Sequence, residues 1–316
     1  MTFDQKIDRV LVVTGASSGI GRATAEAFAA AGTSLVLAAR GQTALDEVAD
    51  QFRQAGAEVL VVVTDVTEAG ALERLVAAAV ERFGRIDVWI NNAGIGAVGP
   101  FESKPMAAHE QVIGTDLVGY MRGAHAVLPH FKAKSRGTLI NVLSLGSWAP
   151  TPYAAAYSAA KFDLRSFTDA LRGELSTWRD IHVCDVHPSF VDTPGHAARR
   201  KLCRARTEAA ARRRRCTGRG RAIVGLVERP RRQVVVGRGV RAMARTARFL
   251  APGATVATMA RLLDTYFAVG RRAPRGPGNL FAPSRNLGEA GAGVGRNCAL
   301  ERWWPLARPF SLLAFG

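Results

Sequence analysis

Cysteine is scarce in this chain: Cys184, Cys203, Cys216 and Cys298 are the only four, and no two stand at Cys-x-x-Cys spacing. Neither a disulfide framework nor a zinc site is indicated, and no metal is expected. Long uncharged apolar runs are also missing, which speaks against a membrane span. The first residues, Met1-Thr-Phe-Asp-Gln-Lys-Ile-Asp-Arg9, carry charge where a secretion signal needs an apolar core. A reducing cytoplasm is the expected location.

Acidic residues are short relative to basic ones, 26 against 43, for a net charge of +17. The imbalance is local. Residues 196–232 hold 13 Arg and one Lys against two Glu, a net of +12, while the rest of the chain carries 29 basic and 24 acidic residues, a net of +5. A basic arm for nucleic acid would combine such a cluster with rings for base stacking, and 196–232 contains no Phe, Trp or Tyr. Two other readings stand beside it: a solvated loop, and a slip of reading frame. Back-translating Arg200 to Glu208 with suitable codons allows a shifted frame that reads Gly-Ala-Asn-Tyr-Val-Gly-Arg-Glu-Leu.

What the chain does have is 48% hydrophobic and 22% charged residues over 316 positions, a globular composition with ample length for a core. The apolar, β-branched strand Val10 to Val13 runs into Thr14-Gly-Ala-Ser-Ser-Gly-Ile-Gly21 and then a helical stretch. Gly15, Gly19 and Gly21 permit a tight turn and close backbone approach, and a helix start supplies free N–H groups and a positive dipole end. That is a phosphate site. The second strand, Ser34 to Ala39, ends at Arg40 with no acid beside it. An acid there binds a ribose 2′-hydroxyl and an Arg a 2′-phosphate, so NADP is favoured over NAD.

Helices are expected over Thr43 to Ala55 and Glu68 to Phe83, and strands over Glu58 to Val63 and Ile86 to Ile90, the last followed by Asn91-Asn-Ala-Gly94. This alternation implies a Rossmann-type, doubly wound parallel sheet flanked by helices, with ligands at the carboxyl ends of the strands. Gly15, Arg40, Asp65 and Asn91 all fall at such ends. A further strand, Thr138 to Val142, precedes Ser144, and a helix from Tyr153 carries Tyr157 and Lys161 one turn apart on one face. An ammonium beside a phenol favours the phenolate and makes it a usable acid or base. Alone, that spacing describes a surface Tyr and Lys equally well.

Taken together, these pieces resemble the short-chain dehydrogenase/reductase family. The matching motifs are Thr14 to Gly21, Asp65-Val66, Asn91 to Gly94, Ser144, Tyr157-Ser-Ala-Ala-Lys161 and Pro188-Ser-Phe-Val-Asp-Thr193, over residues 7–194. The resemblance implies that Tyr157 is the general acid/base, that Lys161 holds the nicotinamide ribose and lowers the Tyr157 pKa, and that Ser144 orients the substrate oxygen. It implies cofactor contacts from Thr14, Gly15, Ser17, Ser18, Gly19, Ile20, Gly21, Arg40, Asp65, Val66, Asn91, Ala93, Gly94, Pro188, Val191 and Thr193, with Asp65 at the adenine, Asn91 near the ribose and Thr193 at the carboxamide. The implied reaction interconverts a small-molecule carbonyl and a secondary alcohol. The alternatives are a dinucleotide-binding regulator without turnover and a binder of nucleic acid or anionic surfaces.

Asp116 departs from the pattern, because family members usually have Asn there, resembling a water-holding link to the lysine. Asp116 is retained as a catalytic-site residue; an Asp can accept from the same water, and its charge is expected to raise the Lys161 pKa. Two helices, Met106 to Lys132 and Tyr153 to Trp178, are those through which relatives pair, so a homodimer or homotetramer is expected, with Ala154, Ala155 and Ala159 as exposed small residues. Trp148, Tyr153 and Phe190 point to an apolar substrate pocket. Residues 1–270 are expected to form the catalytic domain, with the anomalous Arg-rich segment 196–221 in the lid position. Helices are expected over Val240 to Leu250 and Ala254 to Val269, separated by Pro252-Gly253. Residues 271–316, rich in Gly, Pro and Arg, read as an irregular extension whose Trp303 to Phe315 stretch allows peripheral membrane contact.

Overall fold

The computed structural model of the chain describes residues 9–188, 220, 222–236, 252–269 and 279–283. Seven parallel strands form one sheet: β1 (Val10–Thr14), β2 (Ser34–Ala39), β3 (Val59–Val63), β4 (Val88–Asn91), β5 (Gly137–Val142), β6 (Ile181–Pro188) and β7 (Gln233–Val236), in the order β3-β2-β1-β4-β5-β6-β7. The connecting helices are α1 (Gly19–Ala29), α2 (Gln42–Gln54), α3 (Ala71–Phe83), α4 (Met106–Ile113), α5 (Gly119–Ala133), α6 (Ala155–Glu174) and α7 (222–228). A further helix, α8 (Pro252–Val269), follows β7. No described helix is long and apolar enough to cross a membrane.

Both faces of the sheet are covered, and the strands show it. Leu11 and Val13 of β1 belong to one core layer, with Phe28, Leu45 and Phe52, while Val10 and Val12 belong to the other, with Leu75, Val127 and Phe131. A strand buried on both sides must be apolar at every position, and β1 is so from Val10 to Val13. Burying each such side chain contributes about 1.5–3 kcal/mol. The strand order reverses between β1 and β4, which opens a crevice at their carboxyl ends.

The helix expected from Glu68 starts at Ala71, because Gly70 precedes it with φ 75°, outside helical conformation. The expected single helix Met106 to Lys132 is two, α4 and α5, joined by a π-helical turn over Gly114–Val118. The wider turn carries Asp116 and turns it inward, fully buried. Pro252 begins α8 rather than breaking the chain, since the first helical residue needs no N–H partner. Ala154 is buried, in contrast to the expected exposure, whereas Ala155 and Ala159 are exposed. The Arg-rich segment (Gly220 apart), the expected helix Val240 to Leu250, Phe190, Val191, Thr193 and Trp303 to Phe315 lie outside the described residues.

Candidate functional site

The crevice is lined first by the turn from β1 into α1. Gly15 has φ +66°, and a Cβ there would stand 2.8 Å from Ala93 Cα; one on Gly21 would stand 2.3 Å from the Gly15 carbonyl oxygen. Only glycine fits at both. Thr14 ties this turn to the strand next door: its hydroxyl donates to Ile90 O at 3.3 Å and accepts from the amides of Asn92 and Ala93 at 3.0 and 3.1 Å. The Asn92 side chain donates back to Thr14 O at 2.9 Å and Gly15 O at 3.3 Å. Ile20 anchors the first turn of α1 in the core, while Ser17 and Ser18 stay half-buried at its start. Neither an acidic side chain in that turn nor a side-chain cap from Ser18 competes for its N–H groups. The turn therefore fits a diphosphate: a narrow glycine cradle, free amides and no opposing charge.

At the neighbouring strand ends the predicted residues have specific partners. Asp65 accepts from the amide and hydroxyl of Thr67, at 2.8 and 2.7 Å, shaping the loop after β3. Val66 is buried against Gly119. Arg40 donates to Leu280 O at 3.0 Å and also to Asn279 O, so its guanidinium is engaged by the chain itself. Pro283 packs on Gly41, and Leu280 packs on the apolar cluster of Ile95, Ala97, Ala108 and Val112, which Tyr157 also touches. Asn91 is buried, and its side chain is consumed by Trp89 Nε1 at 2.8 Å, Tyr120 O at 3.1 Å and Asn141 Oδ1 at 2.9 Å. Its side chain holds β4, α5 and β5 together. Gly94 sits under Asp116, where a Cβ would come within 2.8 Å of Oδ1. Pro188 ends β6 opposite Val236.

The second part of the site is made of side chains. Ser144 caps a short 3-10 turn, its Oγ accepting from the Gly146 amide at 3.0 Å, and it faces Tyr157 closely enough to favour the ionised phenol. Helix α6 presents Tyr157 and Lys161 to this point, as the spacing required. Lys161 is only 3% exposed, and its ammonium lies 3.1 Å from Asp116 Oδ1, 3.3 Å from Tyr120 Oη and 3.3 Å from Val142 O. Asp116 Oδ2 accepts from the Ile95 amide at 3.1 Å. Asp116 thus meets Lys161 in a direct ion pair. The ammonium sits over the Tyr120 ring at 4.3 Å and farther from that of Tyr157, at 5.8 Å.

Burial pushes the Tyr157 phenol above the ordinary tyrosine value; the pull of Lys161 and the Ser144 hydrogen bond oppose this, and Asp116 adds to it. Lys161 lowers the Tyr157 pKa as expected, and the net rise comes from desolvation first and a nearby carboxylate second. Burial likewise raises the Asp116 carboxyl, against the pull of Lys161, and raises Tyr120 well above its usual value.

Several contributors escape sequence reasoning. Asn92 lies inside a recognised run, yet its bonds to the glycine turn need the crossover from β1 to β4. Tyr120 and Val142 are visible only once α5 and β5 are packed. Trp148, expected in the substrate pocket, donates its indole N–H to His187 Nδ1 at 3.1 Å and stacks under Arg165 at 4.2 Å. Tyr153, with φ 63°, donates to Asp264 of α8.

The sequence model of a family described as short chain dehydrogenase matches residues 9–203. An uncharacterized oxidoreductase of Bacillus subtilis is 35% identical over 189 residues, 59% of this chain and 53% of that protein. The 11-beta-hydroxysteroid dehydrogenase A of Sesamum indicum is 36% identical over 187 residues, covering 58% and 53%. The chain thus spans about half the length of these two relatives, and 75% of an uncharacterized oxidoreductase of Listeria innocua to which it is 34% identical. Among solved structures, a short chain dehydrogenase/reductase from Burkholderia phymatum in complex with NAD has a TM-score of 0.68 at 28% identity, covering 76% of this chain and 93% of the other. A point variant of actinorhodin polyketide ketoreductase with NADPH has a TM-score of 0.66 at 29% identity, covering 75% and 98%.

Proposed function

The chain belongs to the short chain dehydrogenase family, and on that premise we propose that it is an NADP-dependent oxidoreductase interconverting a carbonyl and a secondary alcohol. The observation that carries the reading is the meeting of Ser144, Tyr157 and Lys161 beyond the carboxyl end of β5, on the same edge of the sheet as the glycine turn after β1. The relatives solved with NAD or NADPH support a nicotinamide dinucleotide, and Arg40 in place of an acid supports the 2′-phosphorylated form. A main-chain segment engages that Arg40 through Nη1 and Nη2, so a 2′-phosphate binding there would compete with the carbonyls of Asn279 and Leu280 for its N–H donors.

Gly15, Gly21 and the first-turn amides of α1 would hold the diphosphate. The bound nicotinamide supplies the hydride. The protein supplies the rest. Ser144 donates to the substrate oxygen and fixes it near Tyr157. Tyr157 gives its phenolic proton to that oxygen as reduction proceeds, and takes it back in oxidation. Lys161 stabilises the phenolate left behind, with Asp116 as the counter-charge that lets an ammonium be buried. A homo-oligomer and an apolar substrate complete the reading.

The test is NADPH consumption with a panel of ketones and aldehydes, the wild-type chain beside Tyr157→Phe. Loss of the acid/base is expected to lower turnover about 10²- to 10⁴-fold with dinucleotide binding intact. Equal rates in the two proteins, or no turnover with any carbonyl, would reject the assignment.

A further inference from the structure

Lys161 has three N–H donors, and three oxygens of its own chain stand within 3.3 Å of them: Asp116 Oδ1, Tyr120 Oη and Val142 O. Two of these acceptors follow from a π-turn carboxylate and a β5 carbonyl. The third is a tyrosine on α5 that is 2% exposed. Its hydroxyl donates to Val142 O at 3.0 Å and so presents a lone pair to the ammonium. Its ring lies 1.5 Å nearer that ammonium than the Tyr157 ring does, 4.3 against 5.8 Å. Every contact of Tyr120 with the cation draws it away from the proposed acid/base.

We propose that Tyr120 is a positioning residue: it competes with Tyr157 for the Lys161 ammonium and thereby sets how strongly the Tyr157 phenolate is stabilised. This rests on the acid/base reading of Tyr157 given above. The charged and titratable groups facing Tyr157 are Lys161 on α6, Asp116 on the π-helical turn and Tyr120 on α5; the loop after β5 adds the Ser144 hydroxyl. Replacing Tyr120 by Phe keeps the ring and its contact with the ammonium but removes one of the three oxygens. One N–H of Lys161 is then released toward Tyr157, the only hydroxyl-bearing ring left beside it among the described residues. The phenolate gains a donor, so Tyr157 ionises at lower pH.

The chain has four tyrosines, so tyrosinate formation can be followed by ultraviolet absorbance in an alkaline titration of the full-length protein. The Tyr157 step is isolated as the difference between each protein and the same protein carrying Tyr157→Phe. In Tyr120→Phe the step is expected to move down by about half a pH unit to one, the scale of one hydrogen bond to the charged form. In Lys161→Met it moves up. A step that moves in Lys161→Met but stays in place in Tyr120→Phe overturns the proposal and leaves the acid/base reading standing. A step insensitive to both substitutions overturns the two together. A merely structural role for Tyr120 lowers the unfolding midpoint without shifting the step, which also counts against the proposal.

Discussion

The two halves of the crevice are built from different materials. On the side of β1 to β4, the described residues up to Asn91 bury no charged side chain; threonines and one asparagine are the polar groups inside. That wall is main chain: glycine turns, helix-start amides, and the hydrogen bonds of Thr14 and Asn92. From Met106 to Pro188 the interior holds Asp116, Lys161 and Asp185. Helix α6 carries two buried cation–carboxylate pairs, Lys161 with Asp116 at 3.1 Å and Arg172 with Asp185 at 2.8 Å. A wall of backbone binds a polyanion by shape and dipole and has little to titrate. A wall of buried charges can be tuned, at the cost of desolvation that only close pairing offsets.

The comparison breaks most sharply at Gly21. A Cβ there meets Gly15 O at 2.3 Å and Asn92 Nδ2 at 2.5 Å, so Gly21→Ala must open the turn. Overpacking costs about 1–3 kcal/mol, and the expected result is a dinucleotide affinity weaker by about tenfold to a hundredfold, read by fluorescence titration with NADPH. Gly173 of α6 is the control. It has nothing within 4 Å of its would-be Cβ, so Gly173→Ala should leave binding unchanged and raise stability by roughly 0.5–1 kcal/mol, the gain of Ala over Gly inside a helix.

The charged wall is sharpened by Asp185. Burial pushes its carboxyl up to about 6, although Arg172 pulls the other way. A folded-state pKa above the unfolded value of 3.8 means that the native chain binds the extra proton between those two values. Stability from this group is therefore full below about pH 4, falls as pH rises to about 6, and is flat above. The fall is about 3 kcal/mol at 1.36 kcal/mol per unit. In Asp185→Asn this slope disappears, while Arg172 keeps Val183 O, Asp169 and Arg232 O as partners. Urea unfolding of both proteins from pH 4 to 7 checks it: wild type should lose ground to the variant with rising pH, and parallel curves would refute the assigned shift.

How much of this is legible beforehand follows from the same division. The main-chain wall announces itself, because glycines at fixed offsets between a strand and a helix have few other uses, and β-branched runs such as Val10 to Val13 mark strands buried on both faces. Tyr157 and Lys161 are legible because four residues make one helical turn. Their environment is not. Asp116 comes from a π-helical turn, Tyr120 from the next helix and Val142 from a strand, and which of them reaches the ammonium depends on packing that no local pattern encodes. The phenol is therefore expected, on sequence alone, to be acidified by Lys161, whereas burial and Asp116 outweigh that pull. The partners of Asn91 are hidden for the same reason: a polar residue at a strand end suggests a ligand, and only packing shows its amide bonded to Trp89, Tyr120 and Asn141.

The smallest expected effect lies where the main-chain wall meets an intruder. Arg40 donates to the carbonyls of Asn279 and Leu280, and the Leu280 side chain rests, half-buried, on the Ile95 cluster. A 2′-phosphate would have to share the guanidinium with these carbonyls, which engage both its Nη1 and Nη2, so whatever fixes the segment lowers apparent dinucleotide affinity to the extent that the two compete. Leu280→Ala keeps both carbonyls and removes only the apolar anchor. Losing part of one leucine's burial is worth about 1 kcal/mol at most, so NADPH should bind about two- to fivefold more tightly. If displacement is required for any dinucleotide, NADH gains by the same factor, since competition multiplies every dissociation constant alike. A gain confined to NADPH would mean instead that the segment blocks Arg40 and leaves the rest of the groove open, and no gain for either would show that Leu280 does not hold the segment in place.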